Sequence, residues 1–156
     1  MKSMLVSMAV VLMFCASPAS SAEFPKTGEA EYDTYYVDNV VAKIDSGVGA
    51  GAIVDETGVT RNVKGEGAFH DMSVHCLYHM TSVGETMHFN GSCVHTDKDS
   101  DNIFGTFDDT TTTLIGGTGK YKGITGTVSY TTRELHDAVG GRPALIAHHK
   151  AKWEIK

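Results

Sequence analysis

Apolar residues recur at every second position over most of this chain, and no stretch repeats them at the 3.6-residue helical spacing for long. The cleanest run is at the end. Leu145, Ala147, His149, Ala151, Trp153 and Ile155 share one face, and His148, Lys150, Lys152 and Glu154 share the other. A second run follows Gly123, with Ile124, Gly126, Val128 and Tyr130 on one side and Thr125, Thr127 and Ser129 on the other. Tyr32–Ile44 predicts the first strand, with Val40 and Val41 side by side marking a bulge. Ser46–Ala52 is glycine-rich and leads into Ile53-Val54, and Asp55-Glu56-Thr57-Gly58 reads as a turn. Thr60–Met80 predicts one long bent strand or two. Val63 and Phe69 are out of phase with Met72, Val74, Cys76, Tyr78 and Met80, so a bulge is expected near Gly67–His70. Asn102–Phe107 and Thr111–Ile115 are short strands, and Glu134–Arg142 is a polar loop.

Val83-Gly84-Glu85-Thr86 carries the signature of a two-residue hairpin turn. Counting back from Val83 opposite Thr86 places Met80 opposite Phe89, Tyr78 opposite Gly91, and Cys76 opposite Cys93. At a non-hydrogen-bonded pair the Cα atoms lie about 4.5 Å apart, within the reach of a disulfide. The register therefore predicts a Cys76–Cys93 bridge; two reduced, buried cysteines are the alternative. Tyr78, Met80, Met87 and Phe89 fall on the same face as the sulfurs.

Several short strands at this spacing suit a sandwich or a barrel. The glycine stretch 115–126 separates them. Gly117-Thr118-Gly119-Lys120 suggests a phosphate loop, but Tyr121 stands where the Walker pattern needs Ser or Thr, and Leu114 where it needs Gly. The dinucleotide pattern fails at Lys122, and a Thr-rich strand follows instead of a helix. The run Gly116-Gly117-Thr118-Gly119-Lys120-Tyr121, with Gly123 and Gly126, instead resembles the glycine corner of the allene oxide cyclase and dirigent protein superfamily, which small exported bacterial barrels also resemble. The resemblance spans about a dozen residues. It implies an all-β fold, a closed antiparallel eight-stranded β-barrel with an apolar cavity, in many members a homodimer or homotrimer. It carries over no catalytic residue: Glu31, Asp33 and Asn39 lie in the region of the family's early strands without matching its positions.

The N-terminal residues add a compartment. Lys2, the apolar stretch Met4–Cys15 and Ser20-Ser21-Ala22 form an export signal with cleavage after Ala22. The expected organisation is a signal peptide over 1–22, a flexible leader over 23–31 and a single barrel domain over 32–156, secreted or periplasmic. An exported chain with an even cysteine count after cleavage fits the predicted disulfide. The net charge of −6 and the absence of a basic cluster argue against nucleic acid as a partner. No segment suggests membrane binding once the signal is removed.

Candidate chemistry is sparse. Asp97, Asp99 and Asp101 alternate as in a calcium loop with Asp108 at its end, but Asn102 replaces the turn glycine and strands flank the segment. The preferred reading is an Asx-rich turn, with no metal and no cofactor expected. His75, His79 and His88 fall on outward faces. His149 differs, because it shares the inward face with Trp153, and a buried imidazole needs a partner such as Tyr78 or Tyr130. The expected cavity lining is Tyr78, Met80, Met87, Phe89, Val128, Tyr130, His149 and Trp153. The function expected first is binding of a small hydrophobic molecule in the barrel interior. A cofactor-independent cyclase or isomerase is the alternative, and an oligomeric structural or stress protein the third reading.

Overall fold

In the computed structural model, which describes residues 24–156, eight antiparallel strands close into a barrel in chain order. They are β1 (Thr27–Asp45), β2 (Gly49–Asn62), β3 (Ser73–Val83), β4 (Thr86–Thr96), β5 (Asn102–Phe107), β6 (Thr111–Gly117), β7 (Ile124–Glu134) and β8 (Ala144–Ile155). A 3₁₀ turn, Gly119–Tyr121, bridges β6 and β7 at the glycine corner. β8 pairs with β1, so among the described residues no edge strand remains. The export signal expected over 1–22 lies outside the described residues.

The period-2 pattern is what closes the sheet around a single inward face. Ile124, Val128, Ala147, Ala151 and Trp153 are buried as their alternation requires. The β3–β4 register is the one the turn dictates, from Val83↔Thr86 back to Cys76↔Cys93. The cysteines are bridged, with Cα atoms 4.1 Å apart. The first strand breaks register between Val40 and Ala42, where the paired valines predict a bulge.

Three elements differ from the sequence reading. Residues 27–31, expected as loose leader, are strand: Thr27↔Glu154 through Glu31↔Lys150 pair with β8, and Gly28 is opposite Trp153, whose ring leaves no room for a side chain there. Asp55–Gly58 is no turn; it runs through the middle of β2. The phase shift before β3 comes from a loop, residues 63–72, and not from a bulge.

That loop plugs one end of the barrel. Phe69 enters the interior with a positive φ of 57° and stacks on Tyr32 at 4.6 Å. Asn62 Nδ2 donates to Ala68 O at 2.6 Å, and Met72 N donates to Thr60 Oγ1 at 3.0 Å, so the loop's base is tied to β2. Phe69, Met72, Ile103, Leu114, Tyr121, Ile124, Val128 and Trp153 fill this half as one apolar cluster. The other end stays open. There β1 continues past its last β8 pair, Val37↔Ala144, and β4 begins at Thr86, before its first β5 pair at Gly91. The β1–β4 strands thus form a lip above the mouth.

Candidate functional site

A cavity of about 140 Å³ occupies the open half of the barrel, comparable to one that holds a single benzene-sized ring. Its wall is aromatic. Phe89 and Tyr78 (6.2 Å between centroids), Tyr78 and Phe107 (5.8 Å), Phe107 and Tyr130 (6.5 Å), Tyr130 and His149 (5.8 Å), and His149 and Tyr36 (6.5 Å) make a continuous chain of rings. Cys93, Thr112, Thr132, Leu145 and Ala147 fill the spaces between them.

Glu56 is the polar centre of this wall. β2 alternates Ala52, Val54, Glu56, Gly58, Thr60 and Asn62 inward, so the carboxyl enters the barrel as the valine before it does. Its cross-strand partner, Asp38 on β1, is also buried. Tyr78 donates from its hydroxyl to Asp38 Oδ2 at 3.1 Å. Burial raises both carboxyls, and the charge of Asp38 and a hydrogen bond to it push Glu56 further, up to about 9. Hydrogen bonds from Glu56 and Tyr78 oppose the rise at Asp38. Glu56 therefore holds a proton at neutral pH, against the neighbouring Asp38 carboxyl. Among the described residues Asp38 Oδ1 has no hydrogen-bond partner. Burial also raises the Tyr36 and Tyr78 phenols, and Tyr130 up to about 12.

His149 reaches the cavity from β8, as its parity predicts, but without the phenol partner expected for it. Tyr78 is spent on Asp38, Tyr130 donates to the carbonyl of Asp108, and both ring nitrogens of His149 are unpartnered. Its ring stacks on Tyr32 at 4.6 Å instead. Burial, then the nearby His95 and His148, lower it to about 3, so it is neutral. His95 lies deeper, edge-on to Phe69 at 5.9 Å, also unpartnered, and burial lowers it to about 4.

Four of the residues expected to line a cavity do so: Tyr78, Phe89, Tyr130 and His149. The other four do not line this one. Val128 and Trp153 belong to the filled half, where Trp153 Nε1 donates to Pro25 O at 3.0 Å. Met80 packs beside Ala52 and Val54 on the lip, and Met87 is exposed near its tip. Asp97, Asp99 and Asp101 form the Asx-rich turn: Asp97 Oδ1 accepts from the amides of Asp99 and Asp101, and Lys120 Nζ sits against Asp99 at 2.7 Å. Of the three outward histidines, two pair with carboxylates, His75 with Asp55 at 2.7 Å and His88 with Asp109 at 2.9 Å. Glu56, Asp38 and His95 escape the sequence reading, although each shares parity with a buried neighbour: Val54, Tyr36 and Cys93.

No family model and no curated protein matches the sequence. A solved structure matches the fold: a pterocarpan synthase dirigent protein, with a TM-score of 0.51 and 12% identity, over 85% of this chain and 88% of that one. The barrel is thus dirigent-like in architecture. At that identity the likeness describes the fold and not the chemistry.

Proposed function

We propose that this protein is an exported barrel that holds a small, largely apolar molecule in the cavity at its open end. The observation behind this is the cavity itself, with a ring-lined wall and buried polar groups that no other described residue satisfies. The Cys76–Cys93 bridge and the export segment at the N-terminus support an oxidising compartment.

The test is a titration followed by amide NMR, using neutral one-ring compounds such as phenol, cyclohexanone and toluene. Binding is expected to shift the Thr112, Thr132, Ala147 and His149 signals. Ala147→Leu, which puts three more carbons into the cavity, should weaken binding at least tenfold while the fold persists. Shifts confined to the lip, or none at millimolar compound, contradict the reading.

A second reading rests on the same wall. A protonated Glu56 beside the Asp38 carboxyl sets a donor next to an acceptor oxygen away from water, the pairing that a cofactor-free isomerase or cyclase of the allene oxide cyclase type needs. Turnover of small epoxides or conjugated carbonyls that is lost in Glu56→Gln supports this reading; no turnover by the unaltered protein removes it.

A further inference from the structure

Charge narrows the ligand further, on the premise that the cavity is a binding site. Its wall carries Glu56 and Asp109, with Asp38 directly behind Glu56, and among the described residues it contains no lysine or arginine. His149 adds no positive charge at neutral pH. Among the described residues the nearest compensation for Asp38 is the Tyr78 hydroxyl, and its Oδ1 is left over. A desolvated carboxylate without a cation is costly. The ring faces of Tyr36, Tyr78, Phe89, Phe107 and Tyr130 surround the same space, and aromatic faces attract positive charge most strongly where water is excluded.

We infer that the cavity selects a small organic cation: an amine or quaternary ammonium compound with an apolar body no larger than one ring. The cation would sit among the ring faces beside Glu56 and Asp38. A neutral ligand would leave the carboxylate uncompensated, and an anion would face like charge on entry. A cation favours ionisation of both carboxyls and so drives off the proton they share. Binding is therefore linked to proton release. Other groups do not confuse that signal. Facing Glu56 are Tyr36 and Asp38 from β1, Tyr78 from β3, Tyr130 from β7, His149 from β8 and Asp109 from the β5–β6 turn. The tyrosines stay protonated, His149 stays neutral and Asp109 stays ionised between pH 6.5 and 9.

The test is calorimetry on the mature, disulfide-bonded chain with three probes of one shape: choline, its uncharged isostere 3,3-dimethyl-1-butanol, and the anion 3,3-dimethylbutyrate. Choline is expected to bind at least tenfold more tightly than the alcohol, and the butyrate not at all. Choline affinity should rise with pH through the range 7–9. Its apparent enthalpy should change between buffers of different ionisation enthalpy, as release of up to one proton requires. Glu56→Gln should lose the proton release and most of the preference, yet still take up the alcohol. If the alcohol or the butyrate binds as well as choline, the inference fails and the cavity reading stands. If none of the three binds but the neutral one-ring compounds do, the outcome is the same. If nothing in either panel binds, both fall.

Discussion

Gly126→Ala is expected to destabilise the barrel by about 3 kcal/mol or more, lowering its melting temperature by about 10 °C. Gly126 lies on β7 between Leu114 of β6 and Trp153 of β8. A Cβ there would press into the carbonyl oxygen of Lys152 and come within 2.9 Å of the Trp153 Cα. Both are backbone atoms of a paired strand, so the neighbour cannot swing aside as a long side chain would. Gly65→Ala provides the comparison. A Cβ there meets nothing, and only its positive φ of 76° is strained, which costs about 1 kcal/mol. Trp153, the only tryptophan in the chain and buried in the plugged half, reports unfolding of both variants by fluorescence. Equal effects at the two positions would contradict the close strand approach.

Stability is expected to peak near pH 6.5 and fall on both sides. On the alkaline side the cause is Glu56, whose carboxyl moves from 4.5 to about 9 on folding. Between those values the folded chain keeps a proton that the unfolded chain has released, so stability drops as pH rises toward 9. The loss between pH 6.5 and 9 is on the order of 3 kcal/mol. On the acid side the causes are His95 and His149, which move from 6.5 down to about 4 and about 3. Below 6.5 the unfolded chain takes up two protons that the folded core refuses, so stability falls as pH falls toward those values. Each histidine withdraws on the order of 3 kcal/mol by pH 4. Glu56 and Asp38, both raised, act in the opposite direction below 6.5 and make that limb shallower. Urea midpoints from pH 4 to 9 measure the profile. Glu56→Gln should flatten the alkaline limb and steepen the acid one, and His95→Phe should reduce the acid limb alone. A profile unchanged in both variants would mean that these groups titrate as they do in water.

Much of this fold is legible before any coordinates. The turn at Gly84-Glu85 fixes the β3–β4 register, and a register fixed at one end aligns every pair down to the cysteines. The alternation of β8 places His149 inside for the same reason. The site was harder to read, because its key residues contradict their local setting. Asp55-Glu56-Thr57-Gly58 has turn composition, and only the pairing of β2 with both β1 and β3 holds it extended. Asp38 stands beside Asn39 near a bulge, where a polar residue reads as a break. The split between filled and open halves is equally invisible in the pattern. Val128 and Tyr130 share a face, but Phe69, from a loop that the alternation does not foresee, fills the half that Val128 lines and leaves the half that Tyr130 lines open.

The measurement closest to the centre of this account is the titration of the Glu56 side-chain carboxyl by carbon NMR, with Glu56→Gln used to assign its signal. A midpoint near 9, far above the ordinary 4.5, is the result expected of a proton held against Asp38 inside an aromatic wall. A midpoint close to the ordinary 4.5 would mean that the carboxyl is solvated and the pair does not share a proton. The proposals built on that proton would then fail with it.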